Sequence, residues 1–298
     1  MPLAFMDGVM PAITTPFTEQ DTIDHEFLAR HVQLMRDAGC TAIVALGSLG
    51  EVATLTPDEK QAVLKTVVGT GMPTVAGIAA LSTGDAVAQA RQAEASGCAG
   101  LMVLPPYVYS TDPREMEAHV SAVMRATGLP CILYNNPVAY KTDFRPQRVA
   151  ALAEAHANLV AVKESSADVR RSTAIRALLG DRLQLLMGVD DLIVEGVAIG
   201  VTGWIAGLVC ALPHESVRLF ELARAGRFEE ARPLYDWFLP LLRLDTVPKF
   251  VQLIKLTQEM VGLGSARVRA PRLPLQGEEL AQARAVIEHA LRTRPPLR

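Results

Sequence analysis

The sequence predicts an α/β fold, a (β/α)8 TIM barrel with a C-terminal helical extension, and three observations carry that expectation. Eight short apolar runs recur at a steady interval, at 9–13, 42–46, 74–78, 101–104, 131–134, 160–163, 183–187 and 203–205. Each is continuous rather than alternating, the pattern of parallel strands covered on their outer face. Stretches with helical spacing separate them, and the eight units fill about 210 residues without a second domain interrupting, which favours closure into a barrel over an open doubly wound sheet.

The elements follow in order. After the first strand, Phe27, Leu28, His31, Val32, Leu34 and Met35 repeat at helical spacing. After the second, Thr56-Pro57-Asp58-Glu59 forms a capping box with proline at the first helical position, followed by Ala62, Val63, Leu64 and Val67. Asp112-Pro113-Arg114-Glu115 repeats that logic before Met116, His119 and Val120. From Pro213 onward only helical patterns remain, at 215–224, 228–242, 248–261 and 277–291. The expected organisation is residues 1–212 as the barrel carrying the active site and 213–298 as helices packed on it.

Composition narrows the function classes. Of 298 residues, 50% are hydrophobic and 20% charged, enough for a large core and unlike a disordered chain. The net charge of −3 and the absence of a basic run argue against nucleic acid as a partner. Met1 to Asp7 has no basic or long apolar stretch to act as a signal peptide, and no run approaches the roughly 18 apolar residues of a membrane span. A soluble, cytoplasmic protein without a membrane partner is expected. Cys40, Cys98, Cys131 and Cys210 form no Cys-x-x-Cys pair, and the six histidines lack metal-ligand spacing. Free buried thiols and no metal site are therefore expected. Gly69-Thr70-Gly71 lacks the third glycine of a dinucleotide fingerprint, and no Gly-Lys-Ser/Thr occurs.

In such a barrel the active site lies at the C-terminal ends of the strands, so the polar residues that close the apolar runs are the candidates. Of six lysines, Lys60 and Lys65 lie on a polar helix surface, Lys141 in a polar loop, and Lys249 and Lys255 in the late helical region, all ordinary addresses. Lys163 alone closes an apolar strand, where desolvation favours a neutral, nucleophilic amine. The bland alternative is a lysine paired with Glu164 or reaching solvent. Tyr134 ends the preceding strand, so both side chains can project into one mouth, where a phenol can donate and accept protons. Gly47-Ser48-Leu49-Gly50-Glu51 follows the second strand, and its glycines and Ser48 hydroxyl suit an anion-holding turn, though a plain connecting loop reads the same way.

Gly47-Ser48-Leu49-Gly50-Glu51, Tyr134-Asn135-Asn136-Pro137 and Val162-Lys163-Glu164-Ser165-Ser166, with Gly188-Val189-Asp190-Asp191 and Gly203-Trp204-Ile205-Ala206 beyond them, resemble the dihydrodipicolinate synthase / N-acetylneuraminate lyase family in order and spacing. The resemblance spans nearly the whole chain. It implies a homotetramer, a dimer of dimers, with no cofactor. Lys163 would form a Schiff base with pyruvate or another 2-oxo acid, Tyr134 would be the general acid/base, and Ser48 would relay its protons. Ser48, the Leu49 amide and the Gly47 turn would hold the substrate carboxylate, and the carbonyl of Ile205 would help set the site. In the synthases a tyrosine lent by a neighbouring subunit completes the relay; here Tyr107 and Tyr109 are both candidates.

Two departures matter. Leu49 stands where the family usually has a second hydroxyl residue. Ala139 stands where synthases carry an arginine for the carboxylate of their aldehyde substrate. The leading expectation is a Schiff-base lyase acting on pyruvate or another 2-oxo acid, by aldol cleavage or condensation or by dehydration or deamination. The authentic 4-hydroxy-tetrahydrodipicolinate synthase is the enzyme alternative. A non-catalytic ligand-binding barrel is the alternative of another class, and retention of Tyr134 and Ser48 speaks against it.

Overall fold

The eight apolar runs become eight parallel strands: β1 (Val9–Pro11), β2 (Ile43–Ala45), β3 (Thr74–Ile78), β4 (Gly100–Val103), β5 (Cys131–Asn135), β6 (Leu159–Glu164), β7 (Gln184–Met187) and β8 (Gly203–Ala206). This computed structural model describes residues 3–106, 108 and 112–297. The strands pair in the order β1-β8-β7-β6-β5-β4-β3-β2. A parallel bridge between Ala12 and Val44, with the Ile13 amide donating to the Val44 carbonyl at 3.0 Å, joins the two ends into the expected (β/α)8 barrel. Every strand residue except Val160 is buried, which is why the runs read as continuously apolar.

Helices α1 (His25–Asp37), α2 (Pro57–Gly69), α3 (Thr83–Ala95), α4 (Pro113–Arg125), the one-turn α5 (Pro137–Tyr140), α6 (Pro146–Ala155), α7 (Arg170–Leu179) and α8 (Ile193–Ala198) alternate with the strands. The capping box forms as expected: the Thr56 side chain accepts from the Glu59 amide, and the Glu59 carboxylate accepts from the Thr56 amide. Asp112 caps α4 through the Arg114 amide at 2.8 Å. Helix α5 has no counterpart in the sequence reading, because a single turn is too short to show periodicity.

After β8 come α9 (Pro213–Arg224), α10 (Phe228–Leu242), α11 (Phe250–Met260) and α12 (Gly277–Arg292), with a tight turn, Arg243–Asp245, between α10 and α11. One hydrophobic cluster runs from Met6 in the barrel to Ala290 in α12. Residues 251–258 of α11 are all buried, so this helix presents no face to solvent over those two turns. Lys255 is the consequence: expected at an ordinary address, it is 2% exposed. The four cysteines are free and buried.

Candidate active site

Tyr134 on β5 lies opposite Lys163 on β6 in the strand register. The Lys163 ammonium nitrogen stands 4.3 Å from the centre of the Tyr134 ring, and each residue is 6% exposed. Gly188, just past β7, leaves room for the lysine: a Cβ there would fall 2.6 Å from Lys163 Cε. Burial lowers the Lys163 pKa to about 8, against the opposing pull of Asp245 and Asp190. Glu164 does not pair with it; that carboxylate turns away to accept from Asn135 Nδ2 and the Ser166 amide.

Asp190, to which the sequence reading gave no role, is fully buried. It accepts from the Trp204 indole at 3.0 Å and from the Gly207 and Leu208 amides at 3.1 and 2.9 Å. Burial nevertheless lifts its pKa to about 6. Its place immediately after a strand end was the signal available.

Asn136 organises the other side. Its Nδ2 donates to the Tyr134 hydroxyl at 3.0 Å, and its Oδ1 accepts from the Ala139 amide at 2.9 Å as the cap of α5. With Pro137 opening the turn, α5 brings Tyr140 back over the barrel, edge-on to the Tyr134 ring at 5.9 Å and 86°. The Tyr140 hydroxyl is hydrogen-bonded to Ser48 Oγ. Tyr140 thus joins the Tyr134 ring and the Ser48 hydroxyl within one chain, a residue to which the sequence reading gave no role. Tyr107 and Tyr109, named there for the relay, lie outside the described residues. Burial raises the Tyr134 pKa to about 12, so the phenol carries its proton at neutral pH.

The turn bearing Ser48 is constrained from three directions. Leu46 and Glu51 both adopt left-handed backbone (φ 59° and 55°). Gly77 on β3 lies against it, where a Cβ would be 2.3 Å from the Leu46 carbonyl. Among the described residues the Ser48 and Leu49 amides donate to no protein acceptor, while the Leu49 side chain packs into the apolar cluster. Glu51 anchors the far end. Its Oε1 meets Lys255 Nζ at 2.6 Å, and its Oε2 accepts from the Arg269 amide at 3.1 Å.

Ile205 is buried in β8 opposite Met10 of β1. Ala139 sits exposed on α5 and brings no charge. Lys141 follows it in left-handed backbone, exposed, with Nζ turned back onto the Val138 carbonyl at 3.2 Å.

A barrel that sets a buried, readily deprotonated lysine against the face of a phenol, with a turn whose Ser48 and Leu49 amides meet no acceptor among the described residues, has the constellation of an enzyme forming Schiff bases with carbonyl compounds. The sequence matches the Dihydrodipicolinate synthetase family over residues 5–290. It is 34% identical over 283 residues to the 4-hydroxy-tetrahydrodipicolinate synthase of Natronomonas pharaonis, covering 94% of this chain and 96% of that one. The synthase of the same name from Methanothrix thermoacetophila is 31% identical over 285 residues, covering 94% and 95%. The 4-hydroxy-tetrahydrodipicolinate synthase structure from Methylacidiphilum fumariolicum superposes with a TM-score of 0.92 at 26% identity, covering 96% of each chain. The chain belongs to the dihydrodipicolinate synthetase family and is a lyase of the 2-oxo acid, Schiff-base class expected from its motifs. Among the described residues no helix is long and apolar enough to cross a membrane.

Proposed function

We propose that Lys163 forms an imine with the keto carbon of a 2-oxo acid, pyruvate being the simplest, and that the enzyme joins or cleaves a bond to a partner with a neutral or hydroxylated tail. The observation that carries this is the buried Lys163 amine on the face of Tyr134 at the ends of adjacent strands. The neutral amine adds to the keto carbon and water leaves, giving an iminium. Tyr134 gives its own proton to the hydroxide that departs as water when the iminium forms, and as a phenolate removes a proton from the adjacent carbon; the resulting enamine attacks an aldehyde carbon, and the alkoxide formed takes a proton back from the phenol. Cleavage runs the same steps in reverse. Tyr140 and Ser48 exchange that proton with the mouth, and the Ser48 and Leu49 amides hold the substrate carboxylate, with Gly47 shaping the turn and Ile205 lining the floor. Tyr107 and Tyr109 keep a place in the proposal as further relay hydroxyls. The homotetrameric assembly and the cytoplasmic location also belong to it, the former testable by sedimentation.

The neutral Ala139 and the outward-turned Lys141 support a partner other than aspartate semialdehyde. Losing one charge-assisted hydrogen bond to its carboxylate removes roughly 1.5–3 kcal/mol, about one to two decades in efficiency. The test has two parts. Borohydride with pyruvate must add the reduced ligand to Lys163 and leave Lys249 and Lys255 unlabelled. Catalytic efficiency for pyruvate with aspartate semialdehyde must then fall below that for hydroxylated partners; a normal biosynthetic rate with the semialdehyde reinstates the 4-hydroxy-tetrahydrodipicolinate synthase assignment.

A further inference from the structure

Asparagine, aspartate and serine all cap a helix through a side-chain oxygen, so the one-turn α5 asks of residue 136 only an acceptor. Asn136 supplies it: Oδ1 takes the Ala139 amide at 2.9 Å, and Pro137 opens the turn behind it. That bond decides which way the side-chain amide faces. With its oxygen turned to the backbone, Nδ2 meets the Tyr134 hydroxyl at 3.0 Å and can only donate. The phenol oxygen is therefore the acceptor in this bond, and its own proton is left for another partner. Aspartate or serine would make the same cap and bring no such donor.

The donor meets a group that needs one. Tyr134 is 6% exposed, with the Lys163 nitrogen over its ring face and Tyr140 against its edge. A phenolate there has lost its water and stands in the field of Asp190 and Asp245, which both oppose its charge. Ser165, the other side chain that favours the ionised phenol, has a buried hydroxyl without a hydrogen-bond partner among the described residues. A hydrogen bond to an anion is roughly twice as strong as the same bond to a neutral oxygen. A donor fixed in advance thus lowers the ionised state more than the neutral one.

We propose that Asn136, beyond capping α5, is the donor that holds the Tyr134 phenolate during proton transfer. The inference rests on the Lys163 imine and on Tyr134 as the base. With pyruvate alone, the phenolate takes a proton from the methyl carbon of the iminium. The C–H electron pair becomes the enamine double bond, the iminium nitrogen loses its charge, and the new O–H bond forms while Asn136 still donates to the same oxygen. Exchange of the phenol proton with solvent and reversal of the step return the iminium, so the methyl group trades its hydrogens with the medium.

The experiment follows loss of the pyruvate methyl protons by NMR in deuterium oxide and, on the same samples, borohydride-trapped label on Lys163. Exchange is expressed per trapped imine, so that it reads proton transfer rather than binding. Asn136→Ser keeps a cap and loses the donor; its exchange should be about five- to tenfold slower than wild type, with half-saturation of labelling at the wild-type pyruvate concentration. Asn136→Asp keeps the cap and sets a carboxylate against the phenol, and its exchange should fall about tenfold further, toward that of Tyr134→Phe. Asn136→Ala loses cap and donor together and measures what α5 itself contributes. If only Asn136→Ala is slow while the serine and aspartate variants exchange as wild type does, capping is the whole role and the proposal is overturned. A serine variant whose loss lies entirely in labelling, with exchange per imine unchanged, overturns it too. If wild-type protein traps no pyruvate, or Tyr134→Phe exchanges as fast as wild type, the imine or the base itself is refuted, and the role of Asn136 falls with it.

Discussion

Replacing Lys255 with methionine tests whether the substrate turn is held from outside the barrel. Lys255 and Glu51 are 2% and 1% exposed and meet at 2.6 Å, across more than two hundred residues of sequence. Lys255 also donates to the Arg267 carbonyl at 2.7 Å and lies 4.4 Å from the Phe17 ring centre, which Arg269 approaches equally closely. Methionine keeps the length and packing and removes the charge, leaving Glu51 buried. Breaking one side of a buried pair costs about 3–5 kcal/mol. The Arg269 amide at 3.1 Å and the Arg272 guanidinium at 3.8 Å remain as partial compensation, which puts the loss at the lower end, about 3 kcal/mol. In a chain of this length 1 kcal/mol shifts Tm by about 2 °C, so Tm should fall by about 6 °C. Adding Glu51→Gln removes the stranded charge and should recover about half of that. Because Glu51 ends the turn that starts at Gly47, the pyruvate concentration that half-saturates labelling of Lys163 should also rise. The assays are differential scanning calorimetry and the trapping titration. A Tm within about 1 °C of wild type in Lys255→Met, or a double variant less stable than the single one, refutes the clamp.

Three further outcomes are expected. With the Lys163 pKa near 8 instead of the ordinary 10.5, about one lysine in ten is a free amine at pH 7, against about one in three thousand otherwise; the rate of pyruvate labelling should rise about tenfold per pH unit below 8 and level above it, and a rate still climbing at pH 10 contradicts the shift. Tyr134→Phe keeps the ring beside Lys163 and should still form the imine, while turnover drops ~10²–10⁴-fold; unchanged turnover removes this phenol from proton transfer. Tyr140→Phe preserves the edge contact with Tyr134 and deletes the bond to Ser48. Its turnover should fall about tenfold, and adding Ser48→Ala should cost little more, because both changes break one link; independent, multiplying losses argue against a shared relay.

The barrel was legible because its strands are buried on both faces, so that each of the eight is an unbroken apolar run with turn residues on either side. Boundaries moved by a residue or two where pairing rather than composition decides them: β1 stops at Pro11, although the apolar run continues through Ile13. The site was legible only where position along a strand carries the information, as for Lys163 and Tyr134. The sequence reading gave Tyr140 no function, because its place beside Tyr134 and Ser48 depends on a one-turn helix built by the cap of Asn136 and the ring of Pro137. Asp245 and Lys255 belong to segments whose local pattern says helix and turn and nothing about which strand end they approach. A hint of Lys255 was present in Leu253-Ile254-Lys255-Leu256, a lysine inside an apolar run much as Lys163 closes one.

Those two lysines show why burial by itself does not define a reactive amine. In both, burial pulls the pKa down and nearby carboxylates pull it back up. The difference lies in the partner's distance and geometry. Lys255 has a carboxylate oxygen at 2.6 Å and a carbonyl at 2.7 Å, two acceptors that an ammonium satisfies and a neutral amine would partly waste. Lys163 has a ring face at 4.3 Å, and neither of its carboxylates closes to ion-pair distance. Asp190 is tied to three N–H donors, and Asp245 is lodged against Gly207. Both act on Lys163 as a field and do not lock its proton in a hydrogen bond. For the proposed imine, this supports the charge well enough for an iminium to form there and holds it loosely enough for the free amine to form first. Moving a carboxylate to within hydrogen-bond reach of Lys163 would stabilise its ammonium and silence it, which is the arrangement the fold reserves for Lys255.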